Sequence, residues 1–148
     1  MASNLTKLIY HFVFSTRNRR PLLLERIRPD LLLYMGGVAR ELRCRLITWG
    51  GIEDHVHLQV IMPPTVLVSE LLRRIKGSSS RWMNEQRRQT ERFSWQRGYG
   101  AFTVSESRVD AVARYIRSQA EHHRRLGFRD EMLQLMEVHR IPVCDAWD

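Results

Sequence analysis

Cysteine is scarce in this sequence, and that scarcity excludes several classes of protein. The 148 residues contain two cysteines, Cys44 and Cys144, which lie far apart in the chain. No C-x-x-C pair is present, so neither a zinc ribbon nor a dithiol redox site is indicated. Nothing suggests a disulfide framework, which agrees with a reducing compartment, and we expect a cytoplasmic protein.

Long apolar runs are also absent. No stretch approaches the roughly 18 apolar residues that a membrane-spanning helix needs, so we expect no membrane partner. The first residues lack both the basic segment and the small-residue cleavage pattern of a signal peptide. No repeat, linker or break in composition divides the chain, and its length favours a single domain over residues 1–148.

Lysine is rare, whereas arginine is abundant. Lysine and arginine total 24 against 16 acidic residues, which gives a formal net charge of +8. The sequence pI of about 10.5 makes nucleic acid the leading class of partner, although a basic surface without a dedicated partner stays open. The guanidinium group suits phosphate contacts and stacking on bases. Candidate DNA contacts form one loop patch and one helical stripe: Arg17, Arg19, Arg20, Arg73, Arg74, Lys76 and Arg81.

Four segments rich in β-branched and aromatic residues alternate with helical patterns. Strands are predicted at residues 7–16, 44–52, 55–62 and 99–105. Helices are predicted at 24–42, from a cap at Ser69, at 107–126 and, as a short element, at 130–137. The second and third strands are close enough in sequence to form an antiparallel hairpin.

The first six predicted elements follow the order β-α-β-β-α-β. This order is typical of an α+β, ferredoxin-like split βαβ sandwich, in which an antiparallel sheet carries helices on one face. The long helix at 107–126 would then be an addition to that fold. We therefore expect a core at about residues 7–126 and a tail at 127–148.

Residues 50–60 read GGIEDHVHLQV and place two histidines one residue apart in a predicted strand. Side chains alternate across a strand, so His55 and His57 share one face with Gln59, while the apolar residues between them can face the core. Two imidazoles can bind one metal ion, but a third ligand is needed. For H-x-H alone, a pair of polar residues on a solvated face is the more frequent explanation.

The predicted helix at 107–126 contains RYIRSQAEHHRR. Tyr115 and Gln119 are four residues apart and share a helical face, with His122 one turn further on. A tyrosine hydroxyl can attack phosphorus, and a glutamine carbonyl oxygen can join two imidazoles around an ion that polarises a phosphate oxygen. The alternative is that Tyr115 packs on the core and Gln119 is exposed, which is the commoner fate of both residues.

The combination of DHVHL at 54–58 and YIRSQAEHH at 115–123 resembles the single-tyrosine HUH transposases of small insertion sequences. This group includes IS200-like transposases and enzymes associated with repetitive extragenic palindromes (REPs). HFVFSTRNRRPLL, LLRRIKGSSSRW and WQRGYGAFTVSES are similar to other family segments, so the likeness spans about residues 11–125. Glu53 and Gln59 depart from the family pattern, but neither departure removes a reacting group.

The resemblance implies a homodimeric enzyme that cuts and rejoins single-stranded DNA beside hairpins. Tyr115 would be the nucleophile, leaving a 5′-phosphotyrosine and a free 3′-hydroxyl. His55, His57 and Gln119 would hold a divalent ion, Mg²⁺ or Mn²⁺. Because imidazoles favour later transition metals, we expect Mn²⁺ to work at least as well as Mg²⁺.

Two alternatives to a strand transferase remain open from the sequence. One is a binding protein that keeps the contacts to single-stranded DNA and hairpins but does not cut. The other is a metal-dependent phosphodiesterase whose nucleophile is water, in which case the Tyr115→Phe variant would retain hydrolysis. The presence of Tyr115, His55, His57 and Gln119 together favours the cutting enzyme.

Overall fold

A computed structural model describes residues 4–86 and 91–143. The strands are β1 (Leu8–Ser15), β2 (Arg45–Gly51), β3 (His55–Met62) and β4 (Gly100–Val104). The helices are α1 (Arg28–Glu41), α2 (Val68–Gln86), α3 (Val109–Arg117), α4 (Gln119–His122) and α5 (Phe128–Val138). Cys144 and the last residues of the predicted tail lie outside these ranges.

The four strands form one antiparallel sheet in the order β2-β3-β1-β4. This order and the sequence of helices confirm the predicted ferredoxin-like α+β fold. The hairpin predicted between β2 and β3 is also confirmed, with a register shift between Leu46 and Thr48. β1 lies between β3 and β4, so the histidine strand is the second strand from one edge.

One face of the sheet packs against α1 and α2 and forms the main apolar core. Phe12 and Phe14 of β1 and Leu58 of β3 are fully buried there. Helix α1 begins at Arg28, with Pro29 in its first turn, where a missing N–H leaves no intrahelical hydrogen bond unmade. Helix α2 begins at Val68, so Ser69 lies inside the first turn and the prediction that it caps the helix was wrong.

The opposite face is covered by α3, α4 and α5. Gly50 of β2 shows how closely α3 approaches, because a Cβ built on it would lie 2.1 Å from the carbonyl oxygen of Ile116. Only glycine permits such a contact between backbones. A smaller apolar cluster of Val13, Phe102, Phe128 and Met132 anchors α5 to the same face.

The single helix predicted at 107–126 is interrupted at Ser118, which ends α3 and precedes α4. The Ser118 hydroxyl donates to the carbonyl oxygen of Tyr115 at 3.0 Å, and its backbone N–H also reaches that oxygen. Serine commonly competes with helical hydrogen bonding in this way, which explains the interruption.

None of the helices in residues 4–86 and 91–143 has both the length and the apolar composition that a membrane span requires.

Candidate active site

The histidine strand faces α3–α5, and its polar side chains are buried. His55, His57 and Gln59 are all 0% exposed, so the interpretation as a solvated polar face was wrong. Gln59 donates to the carbonyl oxygen of Val109 at 3.3 Å and connects β3 to α3. The predicted alternation is confirmed, because Val56, Leu58 and Val60 point into the main core.

Hydrogen bonds to the far side of each ring orient the two imidazoles. Nδ1 of His55 lies 2.7 Å from Oδ1 of Asp54, and Nδ1 of His57 lies 2.8 Å from Nε2 of His11. These contacts direct both Nε2 atoms into the space beneath α3 and α5. Such partners on the remote nitrogen fix the ring orientation of histidines that bind metals. His11, a buried β1 residue, was not among the predicted site residues.

Gln119 and Tyr115 reach the same space from the other side. Gln119 is 1% exposed, contrary to the alternative that it faces solvent, and its Oε1 lies 3.1 Å from Nε2 of His55. The rings of Tyr115 and His57 are 5.7 Å apart between centroids. The structure therefore brings together the four side chains that the sequence singled out for catalysis and metal binding.

Glu131 of α5 lies at the centre of the group, and the sequence analysis did not identify it. Its Oε1 lies 2.9 Å from Nε2 of His57, 3.3 Å from Nε2 of His55 and 3.1 Å from Nε2 of His123. Its Oε2 accepts hydrogen bonds from the Tyr115 hydroxyl and the Gln119 amide. A signal was available, because Glu131 interrupts the apolar stripe of α5.

Burial and this carboxylate set the proton affinities of the site. Burial raises the pKa of the Tyr115 hydroxyl, and the hydrogen bond to Glu131 raises it further. Burial alone would raise the pKa of Glu131, but hydrogen bonds from the surrounding imidazoles hold it well below its usual range. Burial lowers the pKa of His57 to about 4. The proton shared by Tyr115 and Glu131 therefore stays on the tyrosine.

The pKa of His55 shifts in the opposite direction to that of His57. Burial lowers its pKa, but hydrogen bonds to Asp54 and Glu131 outweigh burial and raise the pKa to about 9. Positive charge is therefore favoured at the Nε2 side of His55. The pKa of His11 is instead lowered, to about 3, by burial and by the nearby His57.

The donor set fits a metal ion. His55, His57, His123 and Glu131 offer four ligand atoms that all lie within 4.8 Å of one another. Among the residues described, Nε2 of His123 is buried without a hydrogen-bond partner, although Oε1 of Glu131 is 3.1 Å away. Buried polar atoms are almost always satisfied, so an unpaired imidazole nitrogen aimed at a carboxylate indicates a position for a cation.

The seven predicted DNA contacts lie in two places. Arg17, Arg19 and Arg20 are exposed in a short 3₁₀ turn after β1, close to the site because Thr16 donates to the carbonyl oxygen of Asp54. The other four belong to α2, which packs on the opposite face of the sheet: Arg73, Arg74, Lys76 and Arg81.

Three of these cations already have partners within the chain. Arg20 pairs with Glu91 at 2.6 Å and Arg74 with Glu41 at 2.8 Å. Lys76 donates to the carbonyl oxygens of Gln96 and Gly98. Lys76 therefore has a structural role that the sequence did not indicate. Trp95 is also structural, since it is buried against Phe14.

Similar solved structures have the same fold. A putative transposase from Deinococcus radiodurans matches with a TM-score of 0.65 and 24% identity, covering 78% of this chain and 93% of that one. A REP-associated tyrosine transposase bound to a REP hairpin matches with a TM-score of 0.58 and 19% identity, covering 78% of this chain and 70% of that one.

Sequence comparisons agree. The ISDra2 transposase TnpA of Deinococcus radiodurans is 26% identical over 118 residues, which is 76% of this chain and 84% of that protein. The transposase for insertion sequence element IS200 of Salmonella typhimurium is 28% identical over 121 residues, 76% of each chain. The family model described as "Transposase IS200 like" matches residues 4–119. The chain belongs to the IS200-like transposase family, which implies a DNA-cutting and joining enzyme of DNA transposition.

Proposed function

We propose that this protein is a metal-dependent endonuclease and strand transferase for single-stranded DNA, with Tyr115 as its nucleophile. One observation carries the proposal. The Tyr115 hydroxyl is hydrogen-bonded to Glu131, whose other carboxylate oxygen contacts the imidazoles of His55 and His57. A nucleophile beside a buried cluster of metal-binding donors is the arrangement that phosphoryl transfer requires.

The reaction follows from the position of this hydroxyl. Oη of Tyr115 attacks the phosphorus of a DNA phosphodiester, a Tyr–O–P bond forms, and the bond from phosphorus to the 3′ oxygen breaks. The departing 3′ oxygen takes up a proton and becomes a hydroxyl, while the 5′ phosphate stays on the tyrosine. Attack by that hydroxyl, or by another one, reverses the step, so rejoining needs no external energy source.

The chain's own residues keep the tyrosine hydroxyl protonated and hold the metal-binding side chains in position. Tyr115 stays protonated at rest because burial and its bond to Glu131 raise its pKa, and Oε2 of Glu131 is the acceptor in contact with that proton. Asp54 and His11 hold the rings of His55 and His57, which with Gln119 would bind the ion. A bound divalent ion would supply positive charge that polarises a phosphate oxygen and favours the tyrosinate.

We propose that the DNA reaches the site past the turn of residues 17–20. This basic turn follows the end of β1 that pairs with His55, so it adjoins the buried cluster. Arg73 and Arg81 on α2 face solvent on the other side of the sheet and would hold a more distant part of the substrate, such as a hairpin. The structural relative bound to a REP hairpin supports this class of substrate.

The homodimer expected from the family is also a proposal for this chain. Tyr115 contacts the histidines of its own chain through Glu131. This favours action in cis. Light scattering of the purified protein with and without DNA tests the oligomeric state.

The test of the proposed function is covalent trapping. Purified protein, Mn²⁺ and labelled single-stranded DNA from the sequence flanking its own gene are incubated and separated on a denaturing protein gel. The wild type should give a shifted, nuclease-sensitive band, and Tyr115→Phe should give none. Tyr34→Phe is the matched control, because Tyr34 stacks on Trp82 in the region packed on the other face.

Three outcomes would contradict the proposal. A band that persists in Tyr115→Phe would exclude this nucleophile. DNA hydrolysis that continues in Tyr115→Phe would instead indicate attack by water. Tight hairpin binding by the wild type without any band would indicate a protein that binds DNA but does not cut it.

A further inference from the structure

We propose that His123 and Glu131 are metal ligands together with His55 and His57, and that these four side chains form a site for a first-row transition dication. The inference deepens the proposed function and rests on it for the role of the ion. It concerns residues beyond the family match, which ends at residue 119. Glu131 comes from α5, and His123 directly follows α4.

The spacing of the donor atoms suits one ion. Three imidazole Nε2 atoms lie 2.9, 3.1 and 3.3 Å from the same carboxylate oxygen, Oε1 of Glu131. Ligands bound at about 2.0–2.2 Å in tetrahedral or octahedral geometry lie roughly 2.9–3.5 Å from one another. The distances from the imidazoles to the carboxylate therefore already match those of one coordination sphere, and the four ligand atoms, which lie within 4.8 Å of one another, would draw closer together around a metal.

The remote nitrogens of two of the rings are already engaged. Nδ1 of His55 lies 2.7 Å from Oδ1 of Asp54, and Nδ1 of His57 lies 2.8 Å from Nε2 of His11, so both rings turn Nε2 toward Oε1 of Glu131. A metal ion bound between these atoms would replace the protons that bridge them, as metal binding to imidazole generally does.

His123 supplies an independent observation. Its side chain is 5% exposed, and Nε2 has no hydrogen-bond partner within residues 4–86 and 91–143. The contact of 3.1 Å with Oε1 of Glu131 lacks the geometry of a hydrogen bond, yet it places the nitrogen at the common point of the cluster. Coordination of a metal would use the lone pair of Nε2 of His123 and remove the free-energy cost of leaving this buried nitrogen without a partner.

The donor types predict which ions bind. Three imidazoles and one carboxylate favour Mn²⁺, Fe²⁺, Co²⁺ and Zn²⁺ over Mg²⁺, which prefers oxygen ligands and water. Gln119 adjoins these four residues, because its Oε1 lies 3.1 Å from Nε2 of His55 and its amide donates to Oε2 of Glu131, so it can still supply a further oxygen ligand. Because Oε2 also bonds the Tyr115 hydroxyl, Glu131 connects the nucleophile directly to the ion.

Metal binding by the full-length apo protein tests this inference without any DNA. Mn²⁺ binding is followed by electron paramagnetic resonance, and Co²⁺ binding by visible absorption. The wild type should bind one Mn²⁺, with Mg²⁺ a weak competitor. Glu131→Gln and His123→Asn should each weaken Mn²⁺ binding by about 10- to 100-fold or more, since even residues outside the ligand set change affinity by that factor.

Glu137→Gln is the matched control, because it removes an exposed carboxylate from the same helix and should leave the affinity unchanged. Circular dichroism verifies that each variant is folded, and Glu131→Asp provides a second variant that keeps the charge. Each ligand variant should also alter the Co²⁺ spectrum, which a merely structural residue would not do.

Unchanged Mn²⁺ affinity in folded Glu131→Gln and His123→Asn would overturn the inference. Tighter binding by Glu131→Gln would also overturn it, because the carboxylate would then compete with the ion. Failure here is distinct from failure of the proposed function. A covalent Tyr115 adduct in the wild type, with metal affinity insensitive to both variants, would retain the nuclease and reject these ligands.

Discussion

The two faces of β3 differ sharply although they belong to the same eight residues. One face carries Leu58 and its apolar neighbours into a core shared with α1 and α2. The other carries His55 and His57 into a buried polar cluster under α3–α5. Alternation along a single strand therefore supplies both the packing that stabilises the fold and the donors that give the site its chemistry.

The difference shows that burial alone does not reveal what a residue does. His57 and Leu58 are both completely buried, yet one is surrounded by polar groups and the other by hydrocarbon. Polar groups in such a position contribute little net stability when paired and cost free energy when unpaired. Substitutions on the two faces should therefore affect different measurements: metal binding and adduct formation on the polar face, and the free energy of unfolding on the apolar face.

The largest effect is expected for His57→Asn on the site face. Loss of this donor should remove the ion's stabilisation of charge in the transition state. That stabilisation is worth several kcal/mol, so the reaction should slow by about 1,000-fold or more. The rate of covalent adduct formation measures the effect. Adduct formation at the wild-type rate would show that His57 is only structural.

Leu58→Ala, one residue along the strand, should act on stability instead. Removing a fully buried leucine should lower the free energy of unfolding by about 2–5 kcal/mol. Urea denaturation measures this loss. The folded fraction should still bind Mn²⁺ with an affinity close to that of the wild type, and a loss of metal binding as large as that of His57→Asn would break the proposed separation of the faces.

His11→Phe should have a smaller effect on metal binding. His11 contacts Nδ1 of His57 at 2.8 Å and holds the ring in position without reaching the ligand atoms. Loss of such a partner typically weakens metal binding by about 10- to 100-fold. A Mn²⁺ titration should show this change, and the free energy of unfolding should also fall by about 1–3 kcal/mol because Nδ1 of His57 loses its buried partner. Equal affinity would mean that packing alone orients His57.

Gly50→Ala should have the smallest of these effects. It should lower both the free energy of unfolding and the rate of adduct formation. Its Cβ would overlap the carbonyl oxygen of Ile116, so α3 must shift away from the sheet. Overpacking of this kind usually costs about 1–3 kcal/mol of unfolding free energy. Adduct formation should fall as well, because Tyr115 precedes Ile116 on α3.

Gly77→Ala on α2 is the control for this substitution. A Cβ at Gly77 would meet no atom within 4 Å, and the residue lies inside a helix on the other side of the sheet. Replacing a helical glycine by alanine usually stabilises a protein by about 0.4–1 kcal/mol. A decrease in adduct formation by Gly77→Ala would show that α2 influences the site.

The sequence predicted the parts of the site that depend on local periodicity. The alternation of β3 placed His55 and His57 on one face of the strand, and the spacing of Tyr115 and Gln119 placed both on one helical face. Glu131 lies within the apolar stripe of α5, so its burial could be predicted, but its position at the site depends on how α5 docks. The interruption at Ser118 and the contact between His11 and His57 are likewise results of tertiary packing that the pattern of one element does not contain.

The distance along the chain between the groups of the site has a consequence for synthesis. His57 and Glu131 meet across 74 residues, and the nucleophile lies between them in sequence. The chain emerges from the ribosome at about 5–20 residues per second, so the sheet and the tyrosine helix are made about a second or more before α5. The carboxylate that restrains Tyr115 is therefore made after the other groups of the site, and the site is complete only once α5 has been synthesised.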